Sequence, residues 1–267
     1  MEGYVDVDGV KVNYRAEGSG SAVILIHSNG LSLGQWKYNV GPFSKYYRVY
    51  APDLPGFGLS DKPDDEYGVE YYVNFLRSFM DALRIPMAAL VGSSLGGAVA
   101  AAFAARYPDR VTGVVMADPT GLVPDGISRN KELYNAFLGL MIRSRRLYCR
   151  PMFYDSSAMK ALEGTQLVTD SKESRDAFMK NCKAILRYDP GYINALMSIT
   201  APTLIIWGQD DLLLPAEDAQ KYKELIPGSK VKIIGYCGHM PNVEKHGEFN
   251  SAVLDFLAGI KHNPGGR

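Results

Sequence analysis

Over 267 residues, 29 Lys plus Arg balance 29 Asp plus Glu. That balance supplies no global field to draw in nucleic acid or an anionic membrane surface, so a small, mostly uncharged partner is expected. The length suits one α/β domain with an insertion, and the three cysteines, Cys149, Cys182 and Cys237, are odd in number and lack CxxC spacing. Neither a disulfide framework nor a zinc site fits them, and reduced thiols in a cytoplasmic setting are expected.

The opening MEGYVDVDGVKV has no basic n-region or apolar h-region, and no apolar run approaches about 18 residues, so neither secretion nor membrane insertion is expected. Its alternation of Tyr4, Val5 and Val7 with Val10, Val12 and Tyr14 around Asp8-Gly9 predicts a β-hairpin. Short β-branched runs follow at 22–27, 47–52, 87–92, 111–118, 202–208 and 230–236. Such runs suit strands covered on both faces. Between them, 69–84, 95–106, 216–226 and 245–260 carry apolar residues at three- and four-residue steps and read as crossover helices. The expected fold is α/β: a mostly parallel sheet of about eight strands flanked by helices.

Between Asp118 and Ala201 no convincing strand occurs. ELYNAFLGLMIRSRR, SRDAFMKNCKAILR and GYINALMSI are helical by period, which predicts a helical cap over 119–200, inserted after the sixth strand into a core made of 1–118 and 201–267. A cap above the carboxyl ends of the strands would roof a pocket.

Two stretches read Gly-x-Ser-x-Gly: GLSLG from Gly30 and GSSLG from Gly92. A serine nucleophile at a sharp strand-to-helix turn tolerates little bulk around it. In MAALVGSSLGGAVAAAFAARYP a strand runs straight into Gly92, and Gly96, Gly97, Ala98, Ala100, Ala101 and Ala102 let the helix pass close to the sheet. Ser94 therefore sits at the apex. The amide of Leu95, at the positive end of that helix, is placed to stabilise an oxyanion. GLSLG fails the same test, because SNG separates it from the strand and GQWKYNVGPF behind it is a poor helix. It reads as a loop that can deliver a second backbone N–H.

A serine needs a base, and the base a carboxylate to fix its tautomer. His246 and His262 lie in polar, solvated surroundings, and His27 ends a strand where it can pack under the oxyanion loop. His239 follows the last strand at its carboxyl end, where ligand chemistry concentrates in open α/β sheets. Asp210 and Asp211 follow the preceding strand, and either could reach His239.

HSNG, DLPGFGLSDKP, GSSLGG, WGQDDLLLP and GHMPNVE stand in the order and spacing of the α/β-hydrolase family, which the chain resembles over nearly its whole length. The resemblance implies that Ser94, Asp211 and His239 form a catalytic triad, since Gly208, Asp211 and Pro215 match the family pattern around the acid. Asp118 is the alternative acid, with a structural role in its turn as the other reading. The resemblance also places Asn29 beside Leu95 as the second oxyanion donor. Ser28 stands where relatives often carry glycine, either adding a donor or filling space. In DLPGFGLSDKP, Asp53, Gly56, Gly58 and Ser60 are expected to shape a turn.

Trp36, Phe137, Met141 and Met240, with Phe153 and Phe178, are candidates to line an acyl pocket; ordinary core packing is the alternative for each. The expected activity is ester hydrolysis through an acyl-enzyme, with no metal or organic cofactor required. Lactone opening and carbon-carbon bond cleavage in vinylogous diketone acids stay open, although carbon-carbon hydrolases of the family usually carry Trp where Met240 stands. A ligand receptor that keeps the triad is the reading from another class. A homodimer is compatible with such a domain.

Overall fold

The computed structural model describes residues 2–122, 136, 138–140, 142–185 and 190–260. Asp8 and Gly9 both adopt positive φ, 53° and 84°, as a two-residue hairpin turn of the primed type requires. They join β1 (Glu2–Val7) to β2 (Val10–Glu17), paired antiparallel from Val7 opposite Val10. The other strands are β3 (Ala22–Ile26), β4 (Arg48–Pro52), β5 (Ala88–Ser93), β6 (Val111–Ala117), β7 (Thr203–Gly208) and β8 (Lys230–Ile234).

The eight strands form one sheet in the order β1-β2-β4-β3-β5-β6-β7-β8. β2 runs antiparallel to both neighbours, and the pairs from β4 to β8 are parallel. The chain steps outward from β3 to β4 and then returns across β3 to β5. That reversal opens a crevice at the carboxyl ends of β3 and β5.

The helices are α1 (Val40–Ser44), α2 (Val69–Ala82), α3 (Leu95–Arg106), α4 (Arg145–Cys149), α5 (Lys172–Ile185), α6 (Pro190–Met197), α7 (Asp218–Leu225), α8 (Pro241–Glu244) and α9 (His246–Gly259). Along β3 the side chains alternate between two cores. Ile24 and Ile26 join Phe79, Val99 and Phe103 on the face covered by α2 and α3, while Val23 and Leu25 join Phe43, Phe249 and Val253 on the other. A strand buried on both faces needs this unbroken apolar run.

Several expectations are corrected. The stretch behind GLSLG forms a 3-10 turn over Leu33–Trp36 and the short helix α1 rather than plain loop. The helix expected from 245 is preceded by α8, which starts on Pro241, a residue whose fixed φ and missing N–H suit a first helical position. Trp36 has no exposed surface and packs 6.3 Å from Phe249 in the core opposite α2 and α3, so it lines no pocket.

Between β6 and β7, in the stretch expected as an insertion, α5 and α6 match the expected helices, whereas 3-10 turns occupy 150–152, 156–162 and 168–170. Phe137 and Met141 lie outside the described residues. Tyr148, Phe153, Leu162, Val168 and Phe178 of the insertion join the same buried cluster as β3, α2 and α3. Cys149, Cys182 and Cys237 are free and buried. Burial pushes the thiols of Cys149 and Cys182 up to about 11 and about 12, and that of Cys237 higher still. Among the described residues no helix is long and apolar enough to cross a membrane.

Candidate active site

Ser94 stands between β5 and α3 with φ 54° and ψ −114°. Left-handed backbone costs a residue with a side chain on the order of 1–2 kcal/mol, so the fold must hold it there. It does so through the Ser94 amide, which donates to the Ala117 carbonyl at 2.8 Å, and the Ser94 carbonyl, which accepts from the Gly97, Ala98 and Thr120 amides. The glycines make the turn possible. A Cβ on Gly92 would lie 2.0 Å from the Gly96 carbonyl oxygen, and one on Gly96 would lie 2.1 Å from that of Ile26.

Asp118, Asp211 and His239 follow β6, β7 and β8, the three strands after the one that carries Ser94. His239 Nδ1 and Asp211 Oδ2 are 2.7 Å apart, and the other Asp211 oxygen accepts from the Leu213 and Leu214 amides at 2.8 and 3.1 Å. With both oxygens engaged, the carboxylate is fixed in rotation and holds the imidazole with its proton on Nδ1. Burial, the largest influence on His239, pulls its pKa down. The charge of Asp211 and its hydrogen bond, with a smaller push from Asp118, outweigh burial and leave the net value above the usual 6.5.

Asp210 is not the partner: its carboxylate accepts from the Cys237 amide at 3.3 Å, tying two loops together. Asp118 is fully buried, with one oxygen accepting from the Gly208 amide at 2.8 Å and the other without a partner among the described residues. Burial first, then the Asp211 charge, pushes its carboxyl well above the usual carboxylate range, favouring the neutral acid. One oxygen each of Asp118 and Asp211 and a ring nitrogen of His239 lie within 4.8 Å of one another. A metal would have to displace the His239–Asp211 hydrogen bond to use this group.

The loop after β3 is built on His27. Its Nε2 accepts from the Leu54 amide at 2.9 Å, so the proton sits on Nδ1, which donates to the Ser28 carbonyl at 2.8 Å. Burial lowers the pKa of His27, against the opposing charge of Asp53, in keeping with the neutral ring. Asp53 in turn accepts from the Leu33 and Leu59 amides and from Asn13 Nδ2, closing the turn expected for DLPGFGLSDKP. Among the described residues neither the Asn29 nor the Leu95 amide has a protein acceptor. Two unspent donors at the carboxyl ends of neighbouring strands, beside a half-buried serine, are what a developing oxyanion requires.

Two other expected contacts are corrected. The Ser28 hydroxyl donates to Ser93 Oγ at 3.0 Å and its amide to Gln35 Oε1 at 2.8 Å, so its polar groups serve the scaffold. Met240 has no exposed surface, and its Sδ lies 4.0 Å from Gln35 Nε2. Sequence reasoning also missed a buried amide network. Gln35 Nε2 donates to Asn242 Oδ1, and Asn39 Nδ2 donates to the Asn242 carbonyl and to Asn250 Oδ1. The network ties the loop after β3 to the helices after His239. Its only signal was amides set in apolar helical stretches. A cavity of about 690 Å³ lies among α2, α3 and α6, bordered by Tyr71, Ala102, Arg106 and Tyr192 but not by Ser94, Asp211 or His239.

A family model described as the alpha/beta hydrolase family matches residues 23–252. The chain is 30% identical, over 97% of its length and 91% of the relative's, to a 2-hydroxy-6-oxo-6-(2'-aminophenyl)hexa-2,4-dienoic acid hydrolase of Metapseudomonas resinovorans. It is similar in structure to a meta-cleavage product hydrolase of Pseudomonas fluorescens IP01, with a TM-score of 0.80 and 28% identity over 96% of this chain and 97% of that one. It is also similar to a membrane phospholipase A described as a bacterial virulence factor, with a TM-score of 0.81 and 28% identity over 98% and 87% of the two chains.

Proposed function

The chain belongs to the alpha/beta hydrolase family, and we propose that within it this protein is a serine hydrolase that cleaves a small to medium carboxylic ester through an acyl-enzyme. The observation that carries the reading is the His239–Asp211 pair at 2.7 Å, on the loops after β7 and β8, in the same sheet as the serine strained at the apex of β5 and α3. Ser94 Oγ attacks the ester carbonyl and passes its proton to His239 Nε2. Asp211 keeps Nδ1 protonated and stabilises the imidazolium. The Asn29 and Leu95 amides receive the carbonyl oxygen as it becomes an oxyanion, each worth about 10²- to 10³-fold in rate by analogy with other oxyanion donors. The tetrahedral species collapses as His239 returns the proton to the leaving alcohol. Water, deprotonated by His239, then releases the acid and restores Ser94. Residues 119–200 act in this reading as a cap that roofs the acyl pocket, on a core made of 1–118 and 201–267.

The dienoate hydrolases among the relatives favour a second reading, in which the same serine chemistry opens a carbon-carbon bond of a dienoate ketone. Met240 stands against it, at the position where carbon-carbon hydrolases of the family usually carry Trp. The two are separated by measuring turnover of p-nitrophenyl butyrate and of 2-hydroxy-6-oxo-6-phenylhexa-2,4-dienoate by wild type and Ser94→Ala. Ester turnover lost in Ser94→Ala, with the dienoate ketone untouched, is the expected outcome. Preference for the dienoate ketone would replace the ester reading, and no Ser94-dependent turnover of either would favour a ligand receptor.

A further inference from the structure

We infer that Tyr148, in the insertion, is a positioning residue for the oxyanion hole: its hydroxyl holds the Asn29 peptide so that the Asn29 amide is in place as a donor only while the insertion is seated. The inference rests on the reading of that amide as an oxyanion donor.

Asn29 is bracketed by two peptide groups held from opposite sides. On the core side, the Ser28 carbonyl accepts from His27 Nδ1 at 2.8 Å and from the Leu31 amide at 3.2 Å. Across a trans peptide the C=O and N–H point in opposite directions, so holding the Ser28 carbonyl aims the Asn29 N–H away from His27. On the other side, the Asn29 carbonyl accepts from the Tyr148 hydroxyl at 2.5 Å, across 119 residues of sequence. The next carbonyl, that of Gly30, accepts from the Val168 amide at 2.8 Å, and Asn29 Nδ2 lies 3.5 Å from Cys182 Sγ. Every one of these last three partners belongs to the insertion.

Gly30 explains why such a clamp is required. It adopts φ +76°, and a Cβ there would sit 2.4 Å from the Tyr148 hydroxyl oxygen, so the close approach depends on glycine. Glycine in turn leaves the Asn29–Gly30 peptide free to rotate unless something outside the loop stops it. Tyr148 does so from a rigid seat, 3% exposed and edge-to-face with Phe178 at 5.6 Å. The core sets where the Asn29 N–H points; the insertion sets where the residue sits.

The test compares wild type, Tyr148→Phe and, as a control, Tyr154→Phe, a half-exposed tyrosine of the insertion. Each is assayed with p-nitrophenyl butyrate and inhibited with butylboronic acid, whose tetrahedral adduct on serine puts an oxygen in the hole. For Tyr148→Phe, kcat should fall about 10-fold or more with KM within about twofold, and the inhibition constant for the boronic acid should rise in step with the loss of kcat. Tyr154→Phe should match wild type. An unchanged kcat and boronate affinity in Tyr148→Phe, or a raised KM with boronate affinity intact, overturns the inference. Should Tyr148→Phe fail to fold, Cys182→Ala removes the acceptor of the Asn29 side chain. A parallel loss of about threefold in kcat and boronate affinity supports the clamp, and no loss in either overturns it. Wild-type turnover in Ser94→Ala would sink the underlying reading as well, whereas an inert Ser94→Ala beside a fully active Tyr148→Phe sinks only the clamp.

Discussion

The same five-letter pattern, Gly-x-Ser-x-Gly, occurs at 30–34 and at 92–96, and the two copies occupy opposite structural roles. Ser94 has left-handed backbone and is half-buried. Ser32 is extended, with φ −145°, and is 2% exposed with no hydrogen-bond partner for its hydroxyl among the described residues. The difference lies in what precedes each match. β5 delivers Gly92 straight into the turn, whereas three residues separate β3 from Gly30, enough to bend the chain into the His27-braced loop. A motif is therefore read by the elements it joins, and the copy that fails as an elbow lies in the loop after the neighbouring strand.

The sharpest way to break that contrast is to delete each hydroxyl. Ser94→Ala should lower kcat on p-nitrophenyl butyrate by about 10⁶-fold, by analogy with other serine triads, while Ser32→Ala should stay within about twofold. A fluorophosphonate adduct mapped by mass spectrometry should lie on Ser94; one on Ser32 would reverse the assignment. Next in size, Asp211→Asn should cost about 10⁴-fold in kcat, whereas Asp210→Asn, whose carboxylate accepts from the Cys237 amide, should cost less than about 10-fold.

The glycines extend the contrast to stability. Gly96→Ala forces a Cβ against the Ile26 backbone at 2.1 Å and should destabilise by about 3 kcal/mol or more in urea unfolding. Gly34→Ala meets Thr165 Cγ2 at 2.5 Å and Cβ at 2.8 Å, so the surface segment carrying Thr165 has to shift, and about 2 kcal/mol is expected. The smallest effect concerns pH. His239 must be neutral to act as base, and its pKa is raised above 6.5, so kcat/KM should fall as pH drops through a limb lying above 6.5. In Asp211→Asn the limb should move to lower pH, because the charge that opposes burial is gone. A limb that stays in place would show that another group is titrating.

Much of this arrangement is local in sequence. The hairpin, the order of strands and helices, the small residues around Ser94, and the loops carrying Asp211 and His239 each reveal themselves within about ten residues of chain. Other features depend on contacts that no window contains. Trp36 reads like a pocket aromatic, yet it packs with Phe43 and Phe249 in the core on the opposite face of the sheet from α2 and α3. The Gln35–Asn242 hydrogen bond closes across 207 residues, and Tyr148 reaches Asn29 across 119. Ser28 and Met240 sit beside the key residues in sequence, but one spends its hydroxyl on Ser93 and the other has no surface to offer. Proximity along the chain predicts the neighbourhood of a site better than it predicts which atoms face it.

The three buried thiols carry a practical corollary. Alkylating reagents react with thiolate, and at pH 8 a thiol shifted to about 11 is ionised only about one part in a thousand, even before burial bars the reagent. Cys149 and Cys182 lie in the insertion and Cys237 beside the last strand, so iodoacetamide becomes a three-channel clock of opening, read peptide by peptide. Labels that arrive together report one cooperative unit. Labels on Cys149 and Cys182 that arrive ahead of Cys237 would time the insertion lifting from a sheet that is still intact.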